Sequence, residues 1–344
     1  MIPFAYKGEF KGSLKIKGQE TRALDIFRLS KSVGTVLQDS DGQFVGLSVG
    51  EDIAFTLEND CVSQPEMKKR VTRVAGMVGM GEFLSHSPFE LSGGQKQRTA
   101  LAGVLINDVD ILLFDEPLAN LDPATGKSAI EIIDDIHREQ DKTILIIEHR
   151  LEDVLHGHVD RVVVMDDGHI IADCGADEIL CSDVLIKTGI REPLYITAMK
   201  YAGIEILPEN HPGHIDTLIL PEADKQRIRS WQLAQPEPVR PSHGTDKLEL
   251  KNISFAYPGG RNVLENINLD IYRGEMLSII GKNGAGKSTL SKLICGFEKQ
   301  DGGTIVLAGE DLLRYSIRER AERIGVVMQD PNQMLSKPLI FDEV

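Results

Sequence analysis

One stretch, "MLSIIGKNGAGKSTLSKLI" (residues 276–294), constrains the fold more than any other part of the chain. It reads as a buried strand running into a glycine loop, and the loop runs into a helix. In that setting the pattern G-x-x-x-x-G-K-S is a phosphate-binding loop rather than a chance match. Gly281, Gly284 and Gly286 lack Cβ atoms, so the backbone curls tightly and turns its N–H groups toward phosphate oxygens. Lys282, Asn283 and Ala285 complete that curl. Lys287 supplies a point charge for the β- and γ-phosphates, and Ser288 offers a hydroxyl to Mg²⁺. Thr289 falls in the first turn of the helix, whose positive end faces the anion. A glycine-rich turn before an ordinary helix is the alternative, and the complete pattern weighs against it.

The chain also carries a long-range repeat. "VGTVLQDSDGQF" (33–44) reads almost like "IGVVMQDPNQM" (324–334), each a short apolar strand ending in Gln-Asp and a polar loop. A duplicated domain predicts such a pair. The expected organisation is therefore a first copy over residues 1–202, an interdomain linker over 203–246 and a second copy over 247–344. The linker assignment rests on "LPENHPGHID" and "QPEPVRP", because proline is excluded from helix interiors and central strands. "HPGH" (211–214) has no further ligand cluster beside it, so a solvated loop is expected there rather than a zinc site.

Within the first copy, "DILLFDEP" and "KTILIIEH" are continuous apolar runs of the kind found in a parallel sheet covered on both faces. "SAIEIIDDIHREQ" has helical spacing of Ile130, Ile133 and Ile136. "VDRVVVMDDGHII" reads as two strands joined at Asp167-Gly168, a hairpin turn. The predicted class is α/β, with a mostly parallel sheet, flanking helices and antiparallel strands in addition.

Several residues carry chemistry. "LSGGQKQRTALAGVLI" sets Ser92, Gly93 and Gly94 at a helix start, where Ser92 suits the N-cap and the glycines let a ligand approach the backbone. Asp115 and Glu116 emerge at the C-terminal end of the strand "ILLFD". Two carboxylates there divide labour, Asp115 holding Mg²⁺ and Glu116 polarising the attacking water; helix capping is the structural alternative. His149 closes the next strand, within reach of a γ-phosphate. Tyr257, at the end of an expected edge strand in "LELKNISFAYPGG", offers a flat partner for a purine. Gln38 and Gln329 each close a strand, placed to reach Mg²⁺ or the attacking water.

Together these motifs resemble the ATPase domains of ATP-binding-cassette (ABC) proteins. Leu91, Ser92, Gly93, Gly94 and Gln95 look like the family signature, "ILLFDEP" like its Walker B strand, and Asn120, Leu121 and Asp122 like its D-loop. His149 matches the switch histidine, Gln38 and Gln329 the two Q-loops, residues 281–289 the Walker A loop and Tyr257 the A-loop aromatic. "LLFDEPLANLDPATGK", "IIEHRLEDVL" and "GIREPLYITAMKYAG" look most like energy-coupling-factor importers, whose two ATPase domains can be fused in one chain. The resemblance implies ATP and Mg²⁺ as cofactors, integral membrane transport subunits as partners, and uptake of a vitamin or metal ion. It also implies a peripheral position on the cytoplasmic face of the cell membrane.

Family geometry pairs two ATPase domains head to tail, each nucleotide lying between one Walker A loop and the other domain's signature. The loop at 281–289 is then expected to face Leu91–Gln95, while Glu116, Gln38 and His149 serve the opposite site. On that reading the chain is the middle of a longer tandem ATPase and is expected to hydrolyse ATP slowly or not at all by itself. Alternatives are a soluble ABC ATPase of translation or DNA repair, and a hydrolysis-dead nucleotide-binding fragment. The first lacks support: no heptad run is seen, and the linker is proline-rich and mildly acidic rather than basic.

Composition narrows the classes further. A formal charge of −15 disfavours broad nucleic-acid binding. No apolar run approaches the length of a spanning helix. "MIPFAYKGEF" lacks the basic start and apolar core of a signal peptide. Cys61, Cys174, Cys181 and Cys295 form no C-x-x-C pair, which fits free thiols in a reducing compartment.

Overall fold

Apolar runs separated by helix-forming stretches pair as parallel strands, because only a long crossover can return the chain in the same direction. The computed structural model describes residues 11–37, 41–119, 121–236, 247–260 and 262–328. It divides the chain into two compact units, Met1–Pro236 and Glu237–Val344. In the first unit, β1 (Val33–Val36) is followed by helices α1 (Val49–Asn59), α2 (Gln64–Met77) and α3 (Gly93–Leu105). Then come β2 (Ile111–Asp115), helix α4 (Pro123–Gln140) and β3 (Thr143–Ile147). The three strands form one parallel sheet in the order β1-β2-β3.

Strand periodicity decides which face is buried. Val36, Phe114 and Ile146 lie in register on one face, as do Leu112 and Ile144. That face shares a core with Ile53 and Leu57 of α1, Leu101 and Leu105 of α3, and Ile130, Ile133 and Ile136 of α4. The opposite face is open, with Leu145 and Ile147 exposed. The expectation of a sheet covered on both faces is thus corrected. Among the described residues, Leu145 and Ile147 stay exposed on that face, and apolar runs report burial potential, not burial achieved.

The hairpin follows as read. Strands β4 (Val162–Asp166) and β5 (His169–Cys174) pair antiparallel, and Asp167 and Gly168 both take positive φ, 44° and 75°. A second core gathers Val164 with Ile179, Leu180, Leu185 and, from α5 (Leu194–Tyr201), Ile196 and Met199. The stretch expected to begin a linker packs on this core. Ile204 and Ile206 are buried in it, Leu218, Leu220 and Ile228 pack on it, and Trp231 of α6 (Glu222–Ala234) stacks on Tyr201 at 5.9 Å. Pro208, Pro212, Pro221 and Pro236 fall outside helix interiors, so they punctuate the segment without preventing its apolar residues from docking. His211 and His214 bond to Asp177 and to the His156 carbonyl, and no metal-ligand cluster occurs among the described residues.

In the second unit, β6 (Lys247–Ala256) and β7 (Asn262–Tyr272) precede helix α7 (Lys287–Cys295), then β8 (Gly302–Leu307), β9 (Glu310–Asp311) and helix α8 (Ile317–Ala321). The antiparallel sheet runs β9-β8-β6-β7, so the strand leading to Tyr257 is internal rather than an edge. Leu290 and Leu293 of α7 pack with Leu250, Ile253, Phe255 and Ile305 of the sheet. Residues 276–280, expected as a buried strand, form none: Met276 is 98% and Ile280 89% exposed. Residues 324–328 likewise form no strand, with Val327 85% exposed. A strand requires a ladder partner, and among the described residues of this unit none pairs with either segment.

Candidate functional site

The end of β2 builds the first cluster. Parallel register sets Asp115 opposite Ile147, and the Glu116 N–H continues the ladder to the Ile147 carbonyl at 2.9 Å. Glu116 then turns with φ of 48°, a left-handed conformation costly for a residue with a Cβ. That kink lifts its carboxylate off the sheet line, so Oε1 lies 4.0 Å from His149 Nδ1. Two residues distant in sequence thereby meet at the C-terminal ends of adjacent parallel strands, where α/β folds gather their ligands.

Sequence reasoning passed over Glu148. Its side chain is 2% exposed, and its Oε1 accepts from the backbone N–H groups of His149 (3.0 Å) and Arg150 (3.3 Å). The same oxygen stands 3.1 Å from His149 Nδ1, so a buried carboxylate underlies the turn that presents the histidine. Arg150 secures this turn from the other side through the Leu118 carbonyl and Asp153. The available signal was a charged residue interrupting an apolar run, "ILIIE".

The α3 end is built by capping. Ser92 Oγ accepts from the Gln95 N–H and the Gln95 side chain accepts from the Ser92 N–H, a complete capping box. Both side chains thus satisfy helix-end groups that would otherwise lack partners. Gly94 also makes a close helix contact. A Cβ there would stand 2.3 Å from Thr125 Cγ2 of α4, so the glycine lets the two helices approach. Thr125 is itself held by Asp122, which caps α4 through the Thr125 N–H at 3.2 Å and takes its hydroxyl at 2.8 Å. Leu91 and Leu121 are buried beside these caps.

The second unit holds the glycine loop. Gly284 and Gly286 take φ of 79° and 87°, and a Cβ on Gly286 would meet Leu264 Cδ2 at 2.7 Å. Only glycine starts α7 there without strain. Lys287 Nζ donates to the carbonyls of Gly281 and Lys282, both at 2.8 Å, which holds the ammonium against the loop. Ser288 is exposed, whereas Thr289 is buried with its hydroxyl 3.4 Å from Tyr257 Oη. The Tyr257 ring meets Phe255 edge-to-face at 4.9 Å. Asp115 and Ser288 are hard oxygen donors of the kind Mg²⁺ takes. Gln38, Asn120 and Gln329 lie outside the described residues. Among those residues no helix is long and apolar enough to cross a membrane.

A family model described as ABC transporter matches residues 6–119 and 264–341, more than half of the chain. Another, described as ATP-binding cassette cobalt transporter, matches residues 182–255. A putative ABC transporter ATP-binding protein of Clostridium perfringens is 54% identical over 344 residues, 100% of this chain and 60% of its own length. One from Photobacterium profundum is 52% identical and covered over 61% of its length. The chain therefore spans about 60% of the length of these curated relatives. Among solved structures, cbiO1 from Clostridium perfringens, described as part of the ABC transporter complex cbiONQ, is 32% identical. It is covered over 70% of its length, and 51% of this chain, with a TM-score of 0.44. With a family model matching more than half of its length, the chain belongs to the ABC transporter family of ATP-binding proteins, and its fold is the P-loop ABC ATPase fold.

Proposed function

We propose that this chain is part of the ATP-hydrolysing subunit of an energy-coupling-factor importer, which drives uptake of a vitamin or metal ion through membrane partner subunits. The observation that carries the ATPase reading is the approach of Glu116 to His149 at the ends of neighbouring strands. Glu116 takes the role of polarising water, and His149 that of a contact to the γ-phosphate. Residues 281–289 cradle the phosphates of a second nucleotide, Lys287 supplying charge and Ser288 a hydroxyl. Tyr257 takes the purine. Leu91–Gln95 and the D-loop Asn120, Leu121 and Asp122 complete the opposing surfaces, with Gln38 and Gln329 at the ends of their segments. When bound, Mg²⁺ would neutralise charge on the phosphate oxygens; Asp115 would hold it at one nucleotide, and Ser288 and Gln329 at the other.

The importer reading rests on the cobalt-transporter match at 182–255 and on the relatives. The domain division proposed for the ATPase keeps a first copy at 1–202 and a second at 247–344, with 203–246 between them. Purification from detergent extracts tests it. A polytopic membrane protein should co-purify with the intact protein, and vesicles holding both should couple ATP to uptake of the substrate. Recovery with ribosomes or DNA instead would overturn the importer reading.

A further inference from the structure

Arg320 has no part in the motifs above, yet it is only 6% exposed, which is rare for a guanidinium. Its Nη1 donates to the carbonyls of Leu293 (3.1 Å) and Ile294 (3.2 Å), and its Nε donates to the Tyr315 carbonyl at 3.3 Å. Leu293 and Ile294 belong to the last turn of α7, where helix carbonyls lack intrahelical partners. Gly296 ends that helix with φ of 84°, and a Cβ on it would stand 3.0 Å from Arg320 Cζ. The glycine therefore both terminates α7 and makes room for the guanidinium. Asp311 and Cys295 are its titratable neighbours, and burial lowers the pKa of Arg320 from its ordinary value. A side chain buried at such cost, and spent on carbonyls, has a positional task.

We propose that Arg320 is a positioning residue for the phosphate loop, fixing the C-terminal end of α7 so that Gly286, Lys287 and Ser288 at the other end are held toward the nucleotide. The inference rests on the reading of residues 281–289 as a nucleotide site. Two carbonyl contacts to the last turn, with a third to Tyr315 outside the helix, set the tilt of a helix about 14 Å long, whose N-terminal end carries the loop. A cation at the negative end of the helix dipole adds to the field that draws phosphate to the positive end. The same residue also anchors the chain leading toward Gln329, since the Ile324 N–H donates to the Arg320 carbonyl at 2.8 Å. One residue, through its guanidinium and its backbone carbonyl, thus ties α7 to the segment that runs on toward residue 329.

The test titrates a fluorescent ATP analogue against the full chain carrying Arg320→Ala, Arg320→Lys or Lys287→Ala, and follows amide hydrogen exchange in residues 287–295. Arg320→Ala should weaken binding about tenfold and speed exchange in the last turn of α7, with exchange in β6 and β8 unchanged. Arg320→Lys should recover part of the affinity, because charge persists while the planar fork is lost. Arg320→Met, which keeps the aliphatic stem, carries the same expectation should Arg320→Ala lose the fold. Wild-type affinity in Arg320→Ala or Arg320→Met, with binding lost in Lys287→Ala, overturns the positioning role alone. Wild-type affinity in Lys287→Ala overturns the nucleotide reading of the loop, and the positioning role with it.

Discussion

Glu116 is where chemistry and backbone strain coincide. Its φ of 48° is unfavourable for a residue with a Cβ, yet it aims the carboxylate toward His149. The proposed role predicts that Glu116→Gln in the complete transporter lowers phosphate release by roughly 10²–10⁴-fold while nucleotide binding persists. The strain predicts that Glu116→Gly is equally inactive but does not lower the urea midpoint, since glycine accepts positive φ. A lowered midpoint would show that the side chain, not the backbone, dominates stability at this position. Beneath it, Glu148 holds two backbone N–H groups of the histidine turn and leaves Oε2 without a partner among the described residues. Removing the acceptor in Glu148→Ala strands those two donors, for an expected loss of about 1–3 kcal/mol by urea unfolding. An unchanged midpoint would mean that water replaces the carboxylate at no cost.

The elements separate what the sequence encodes locally from what only assembly supplies. α4 was legible because Ile130, Ile133 and Ile136 recur at helical spacing and all three are buried. The hairpin was legible because Asp-Gly is among the few pairs that accept two positive φ values. Strands at 276–280 and 324–328 were misread, since an apolar run signals a strand only where a neighbouring strand accepts its hydrogen bonds. Tyr257 was misplaced on an edge for the same reason: strand order is a long-range property. At the start of α3, the serine cap was visible but the reach of Gln95 back to Ser92 and the helix contact at Gly94 were not. That contact makes a prediction at this scale. Gly94→Ala puts a methyl 2.3 Å from Thr125 Cγ2, so α3 and α4 must separate, costing about 1–3 kcal/mol. Thr125→Ser in the same chain removes the opposing methyl and should restore part of the loss, and a double-mutant cycle in urea would read the coupling. Additive losses would mean that the helices relax independently.

At the scale of the whole chain, the cores are divided as the units are. Two apolar clusters lie within the first unit, while the cluster of Leu250, Ile253, Phe255, Leu290 and Leu293 lies within the second. Cooperative unfolding follows shared core, so calorimetry of the chain is expected to resolve two transitions rather than one. The glycine loop proposed to bind phosphate belongs to the second unit, which gives the assignment of those transitions a chemical handle. A ligand that binds only the folded form stabilises the unit carrying its site by about 2.7 kcal/mol at a hundredfold excess over its Kd. ATP with Mg²⁺ should therefore raise the midpoint of one transition and leave the other in place. Lys287→Ala should cancel the rise, because the ammonium held against the loop is the main charge offered to the phosphates there. Glu116→Gln should not cancel it, since that carboxylate belongs to the first unit. A single transition that ATP moves as a whole would mean that the two units unfold as one body, and the separation drawn from their cores would be wrong.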